Sequence, residues 1–562
     1  MNPQTREADR TVKEETKDID FDELLPYVGD FGLYQKILFI LMIPFASFVA
    51  WVYFSQIFIT LIPDDYWCWV PELQNLTANE RKNVKHCPCK LLAFINLYKP
   101  FSVKPIVVAI MSLGSRRQLV AERSRGHGTD LGWVCQYDAL PTIAQSIFFI
   151  GAIFGGLIFG WIADQYGRIP ALIGANLMGF LAGVATAFTV SFWQFTLCRF
   201  FVGFAFDNCF TMMYILVLEY VGPKWRTFVA NMSIAIFFTF ATCILPWIAY
   251  YLADWRMTCI VTSVPLVLAV ATPWLIPESA RWLVSQGQID RAIKILGKFE
   301  RINGTKVPDD IYKRFRVKKP IIEEADKTYS VLDLFRTPRL RNITILFIVI
   351  WFVSMAISLV FDGHVRNVDN LGLDVFVTFT IAAATELPAD TFLTVVLDRW
   401  GRRWLACGSL IISGIFSIWA SAVSNSIYTA SLAILGRFWI NISYNIGLQY
   451  AAEVLPTVVR AQGVALIHIM GYVASILAPF VVYLNIVSSF LPLLVLGTLG
   501  IMGGLLTLFL PETLNKDLPQ TLQDDRNKLL PFQLYYCIHE NMNLHKDPRS
   551  NYHHNFSSTM ID

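Results

Sequence analysis

Four carboxylates stand where a carboxylate is expensive. Asp207, Asp362, Glu386 and Asp390 each fall inside a long apolar stretch with very few other charges. At the centre of a membrane helix an ionised side chain costs about 3 kcal/mol or more, so such groups are functional candidates by default. A deprotonated acid there attracts an ammonium group. A protonated one couples its site to pH. Arg199 and Arg437 lie in similar stretches; an unpaired buried guanidinium is costly, so each is expected to meet one of the acids or backbone carbonyls. Asp362 has a bland alternative: a helix ending one turn earlier would leave it solvated in a mouth.

The frame that must position these groups is legible in the hydropathy. With 55% hydrophobic residues and a mean hydropathy of +0.48, the 562-residue chain is too apolar for a water-soluble enzyme. Apolar runs occupy 37–62, 140–162, 169–190, 192–218, 228–252 and 256–276, then 343–366, 374–397, 403–423, 427–450, 459–485 and 487–510. Most are about 20 residues or longer, the length that crosses a hydrocarbon core of ~30 Å. The expected fold is an all-α membrane protein of twelve transmembrane helices. The lipid bilayer is therefore a partner, and the net charge of +3 gives no reason to expect nucleic acid.

A second set of charges repeats. Asp164-x-x-Gly167-Arg168, Arg199, Glu219, Arg226 and Pro277-Glu278 recur in order as Asp398-x-x-Gly401-Arg402, Arg437, Glu453, Arg460 and Pro511-Glu512. Glu219 to Arg226 and Glu453 to Arg460 are both 7 residues; Glu219 to Pro277 and Glu453 to Pro511 are both 58. Two unrelated helical stretches would hardly keep both spacings. The chain is read as two pseudo-symmetric six-helix bundles, an arrangement that leaves a central cavity and is typical of secondary transporters. The divisions are an N-terminal segment 1–36, a first half 37–276 carrying a large loop 63–139, a polar centre 277–342, a second half 343–510 and a tail 511–562.

Basic loops fix the expected orientation. Arg168, Lys224, Arg226, the 277–342 segment, Arg402, Arg403 and Arg460 share one side, which the positive-inside rule makes cytoplasmic along with both termini. The 1–36 segment has no apolar core and is no cleaved signal peptide. Loop 63–139 is then external. It carries Cys68, Cys87, Cys89 and Cys135, an even set suited to disulfides, and Asn75-Leu-Thr77, a glycosylation sequon. Neither metal-ligand spacing nor a cofactor motif is present, and no nucleophile–base set appears in the polar segments, which argues against an enzyme.

Asp164-Gln-Tyr-Gly-Arg168 and Asp398-Arg-Trp-Gly-Arg402 resemble the signature of the major facilitator superfamily. Glu219-Tyr-Val-Gly-Pro-Lys-Trp-Arg226, Pro277-Glu-Ser-Ala-Arg281 and the large first external loop narrow this. The chain is similar to the organic cation, organic anion and carnitine transporter family over most of 20–520, and Phe206-Asp-Asn-Cys-Phe210 with Asp20-Phe-Asp-Glu-Leu-Leu-Pro26 resembles its insect branch, which includes carcinine and β-alanine transporters. Residues 88–131 depart from the family pattern; a retained intron is the leading explanation, and an uninterrupted transcript across them would dismiss it.

The resemblance implies roles. The repeated set (Asp164, Gly167, Arg168, Glu219, Arg226, Glu278, Arg281, Asp398, Gly401, Arg402, Glu453, Arg460, Glu512) is expected to form a cytoplasmic gate, with arginines tying carboxylates at neighbouring helix ends. Simple anchoring is the plainer alternative. The first, fourth, seventh and tenth spans line the cavity in this superfamily, which directs attention to Asp207 and Asp362. Where related carriers place Asp for cations and Arg for anions, this chain has Tyr472, with His468 one turn earlier.

Substrate information is expected where the copies differ. Twelve residues before Glu219 stands Asp207, but twelve before Glu453 stands Asn441; twelve before Asp398 stands Glu386, but twelve before Asp164 stands Ala152. Asp207, Asp362, Glu386, Asn441 and Tyr472 are therefore the candidate substrate residues, with Asp390 behind them and Glu386 alternatively serving conformational coupling. Aromatic side chains, among them Tyr214, Phe238, Trp351, Phe361 and Tyr444, can pave such a cavity for an amine. The expected activity is alternating-access movement of a small organic cation or zwitterionic amine across the plasma membrane, with proton or sodium coupling open. An organic anion exchanger, or a non-transporting receptor that keeps the fold, is the alternative.

Overall fold

The computed structural model describes residues 21–61, 133, 137, 139–308, 311, 312, 314, 315, 341–454, 457–510, 512 and 513, without the side chains at 223, 227, 341–347, 398, 448, 451–454 and 457–466. Helix α1 is Phe21–Val28. The first half then runs α2 Leu33–Ile59, α3 Leu140–Tyr166, α4 Arg168–Thr186, α5 Phe192–Tyr220, α6 Lys224–Leu252 and α7 Trp255–Leu275. Two central helices follow, α8 Ala280–Ser285 and α9 Ile289–Asn303. The second half is α10 Arg341–Arg366, α11 in two pieces Val375–Ala384 and Glu386–Trp400, α12 Arg402–Ala422, α13 Ser426–Val454, α14 Thr457–Tyr483 and α15 Leu491–Thr507. Apart from α1, α8 and α9, these are twelve bilayer-length or near-bilayer-length rods among the described residues. Ten satisfy both length and hydropathy for a membrane crossing; α15 is shorter but apolar, and α13 is 29 residues long.

Each rod closes its own backbone hydrogen bonds, which hydrocarbon requires of any spanning segment. Local sequence sets the starts. Ser191, Asp254 and Asp374 accept from the backbone N–H of Gln194, Arg256 and Val377, the N-cap geometry that satisfies otherwise orphaned donors. Within the bundle, small residues let backbones touch. A Cβ on Gly155 would come 1.8 Å from the Phe204 carbonyl oxygen, so α3 and α5 lie close only because that position is glycine.

The two halves meet along α3 with α14 and along α6 with α11, two contacts related by the internal repeat. One end of the bundle carries the 164–168 and 398–402 turns and is here the motif end; the other carries the 60-to-140 connection and is the loop end. The π-helical turn Ser233–Phe238 in α6 packs on α2 and α11. Such turns widen a helix locally and often accompany functional sites.

The polar centre is more ordered than a loop reading suggests. Phe299 on α9 packs edge-on to Tyr34 (4.4 Å) and stacks on Tyr220 (4.5 Å). Asn303 ties the same elements together: its amide nitrogen donates to the Val28 carbonyl and Gln35 Oε1, and its oxygen accepts from Tyr34 N–H. The N-terminal helix and the central segment thus form one motif-end layer fixed to the first half. The loop 63–139 calls (Asn75, Cys68, Cys87, Cys89, Cys135 and the 88–131 departure) lie outside the described residues or have no described partner.

Candidate functional site

At the motif end the repeated residues form two matching turns. Gly167 and Gly401 take φ of +109° and +83°, left-handed values that favour glycine. A Cβ on either would also meet a carboxylate oxygen, 2.5 Å from Glu278 and 2.8 Å from Glu512. That carboxylate is the point of the motif. Glu278 accepts from the backbone N–H of Arg168 and Ile169 at 2.9 and 3.1 Å; Glu512 accepts from Arg402 and Arg403 at 3.0 and 3.2 Å. Each also accepts from the N–H that follows it, Ser279 or Thr513. An anion on the free N–H groups opening α4 or α12 satisfies donors and meets the positive end of the helix dipole.

This corrects the expected pairing. Glu278 and Glu512 each cap a helix through its backbone N–H groups. Arg168 instead reaches Asp164 at 2.7 Å and Glu219 at 3.5 Å. Arg226, expected to tie a carboxylate within the repeated set, pairs instead with Asp22 at 2.6 Å, and Arg281 meets the same carboxylate at 3.4 Å. Asp22 lies on α1, 204 residues from Arg226, in a segment whose sequence gave no sign of docking. The side chains of Asp398, Glu453 and Arg460 lie outside the described residues.

Midway along the second half, α11 and α13 are laced by polar rungs. Arg437 donates to Glu386 at 2.6 Å, with both side chains at most 4% exposed. One turn further, Asp390 accepts from Asn441 at 3.3 Å and Asn445 at 2.5 Å. Positions 386 and 390, and 437, 441 and 445, repeat every four residues, so each set shares one helix face. Asn441 is thus committed to Asp390. Arg437 found an acid as expected, but Arg199 did not. Its Nε donates to Gln56 at 2.8 Å and its guanidinium lies over the Phe148 ring at 5.0 Å. The two arginines are also not equivalents: Arg199 precedes Glu219 by 20 residues and Arg437 precedes Glu453 by 16, one helical turn apart.

Between the halves, Asp207 sits half-buried at the junction of two helical pieces in α5, where Thr211 donates to it at 3.2 Å. It faces second-half groups, lying near enough to Tyr444 and Tyr472 to act electrostatically on both hydroxyls. Among the described residues it makes no ion pair. Tyr53 stacks on Phe206 at 4.9 Å, and Phe361 on Tyr444 at 4.6 Å, so the aromatic surface around it comes from both halves. Asp362 is buried (3% exposed), which removes the solvated-mouth alternative. It accepts from the Tyr53 hydroxyl, with Ser475 on another side. His468 is exposed, one helical turn before the half-buried Tyr472.

Residues that the sequence reading passed over complete the loop end. Arg366 lies over the rings of Tyr53 and Phe149 at 5.5 and 5.1 Å, and Phe58 packs on Phe376 and Phe379. Gln56 and Gln145 are buried beside them. Two glutamines buried in apolar spans were the available signal.

A two-half bundle of twelve long apolar helices, with conformationally demanding turns at one end and buried charge between the halves, defines a membrane carrier of the major facilitator type. Residues 110–523 match the sugar (and other) transporter family, and the chain belongs to it. It is a multi-pass membrane protein of a transporter family, and not an enzyme. Similar proteins include the "Organic cation transporter protein" of Drosophila melanogaster, 31% identical over 90% of this chain and 94% of the relative. The "Beta-alanine transporter" of the same organism is 31% identical over 92% and 91%, and the human "Organic cation/carnitine transporter 2" is 30% identical over 90% and 93%. Among solved structures, the inward open xylose transporter XylE from E. coli superposes with a TM-score of 0.56 at 14% identity, covering 86% of this chain and 98% of that one. That likeness speaks to the fold.

Proposed function

We propose that the protein moves a small organic cation or zwitterionic amine across the plasma membrane by alternating access, with both termini and the motif end in the cytoplasm. One observation carries the reading: Asp207 projects from the first half toward tyrosines of the second, with no cation paired to it among the described residues. A carboxylate so placed, beside aromatic faces, suits an ammonium group that both halves can hold in turn. The relatives named for organic cations, β-alanine and carnitine support the substrate class. In this reading Asp362 and the Tyr472, Tyr444 and Tyr53 rings border the same space. Glu386 and Asn441 act behind it, holding α11 to α13 through Arg437 and Asp390.

The repeated turns serve as hinges in this proposal. Glu278 and Glu512 lock α4 and α12 to the segments that follow each half, so each half rocks as a unit. Coupling to a proton or sodium ion requires a carboxylate that no cation already holds; among the described residues Asp207 and Asp390 meet that condition.

The test is labelled uptake of carcinine, β-alanine, carnitine and an organic anion in expressing cells, repeated for Asp207→Asn. Amine uptake that falls tenfold or more in Asp207→Asn is expected. Carriage of the anion with the amines ignored would sink the reading and favour an anion exchanger. No uptake of any of the four by a surface-expressed chain would favour a receptor.

A further inference from the structure

The contacts that close the loop end follow a rule of their own. Asp362 accepts from Tyr53 of α2. Arg366 donates from both terminal nitrogens to the Gln145 side-chain oxygen of α3, at 3.1 and 3.2 Å, in the amide orientation that also lets Gln145 donate to Gln56 at 2.8 Å. Both charges therefore belong to α10, in the second half, and both partners are neutral groups of the first. Asp362 and Arg366 are 3% and 9% exposed. They stand four residues apart on one helix face, near enough for the guanidinium to act electrostatically on the carboxylate though without direct contact, and Ser475 lies beside Asp362 as well. Each reaches across the interface.

Neutral partners leave a buried charge only partly compensated, because a hydroxyl or an amide returns no opposite charge. When the halves part at this end, Tyr53 and Gln145 depart with α2 and α3. What remains on α10 is a carboxylate and a guanidinium with their Cβ atoms about 6 Å apart. An ammonium and a carboxylate joined by one to three methylenes span a comparable distance and carry the complementary charges. A plain amine would answer Asp362 and bring no carboxylate to Arg366; an anion would do the reverse. A site that holds a polar group for each end of its ligand discriminates strongly against analogues lacking one.

We infer that Asp362 and Arg366 are a specificity pair that reads the two ends of a zwitterion in the open loop end, and that Tyr53 and Gln145 occupy those positions when it is closed. The inference rests on the transport reading above and narrows its substrate class from amines in general to amino-acid-like zwitterions. Arg366 is the new residue: it selects for the carboxylate.

The experiment compares inhibition of labelled organic-cation uptake by β-alanine and by ethylamine, in cells expressing the full chain. The readout is the ratio of the two potencies, with surface expression measured in parallel. Wild type is expected to favour β-alanine. Arg366→Gln should lower the β-alanine-to-ethylamine ratio tenfold or more, and Arg366→Lys, which keeps the charge, should retain most of the preference. Asp362→Asn should weaken both inhibitors together. An active wild type with no preference, or an Arg366→Gln variant with an unchanged ratio, overturns the inference and leaves the transport reading standing. A surface-expressed wild type that carries no organic cation sinks both.

Discussion

At the motif end the two described helix caps match hydrogen bond for hydrogen bond; midway along the bundle the halves do not match. Glu278 and Glu512 cap equivalent helices through equivalent pairs of N–H groups, with matching distances and a left-handed glycine in each turn. Deeper in, the first half presents Asp207, held by Thr211 and without an ion pair among the described residues, where the second presents Asn441, bound to Asp390. The second half carries a buried Glu386–Arg437 pair, while the nearest first-half arginine, Arg199, rests on Gln56 and Phe148. Duplicated parts therefore serve what both halves must do alike, which is to hold helix ends rigid. In the transport reading proposed above, the parts that diverge serve what a bundle does once, which is to hold one asymmetric ligand.

That contrast can be broken deliberately. The largest effect is expected where charge is most buried. Glu386→Gln leaves the Arg437 guanidinium without its counter-charge in the interior and should cost about 3–5 kcal/mol, read as lost thermal stability in detergent. Replacing both residues with apolar ones should recover much of it; a double variant as unstable as the single would show that the pair matters for something other than charge balance. Next comes Asn441→Asp, which makes the second half resemble the first but sets a second carboxylate against Asp390. Destabilisation beyond about 1 kcal/mol is expected, and a neutral result would mean that the rung is looser than 3.3 Å implies.

The two caps offer the sharpest comparison. Glu278→Gln and Glu512→Gln should each cost about 1–2 kcal/mol, as loss of a charged partner to capped N–H groups does. The copies predict near-equal losses, and a severalfold difference between them would argue that the halves do not hold their helices alike. The smallest effect belongs to Asp22→Asn. Its partners Arg226 and Arg281 are partly exposed, so the two pairs together should contribute about 1 kcal/mol or less. A large loss of uptake with little loss of stability would instead reveal a gating role for α1.

Much of this was legible in order along the chain. Apolar runs located the rods because hydrocarbon admits only segments that satisfy their own backbone. The 7- and 58-residue spacings revealed the duplication, and Gly167 and Gly401 marked turns whose φ few other residues adopt. These are local properties, set by one segment and its solvent. Partner choice was not local. Arg226 answers to Asp22 across 204 residues, outside the repeated set, and Arg199 took a glutamine where an acid or a backbone carbonyl was expected. A helix apolar on every face has no polar stripe to say which side meets its neighbour, so rotation and packing are hidden from its sequence. The sequence by itself determined that this chain spans a membrane in two six-helix halves; only the packing of the halves decided that Asp362 meets Tyr53, that Arg366 meets Gln145 and that Asp207 faces the tyrosines of the other half.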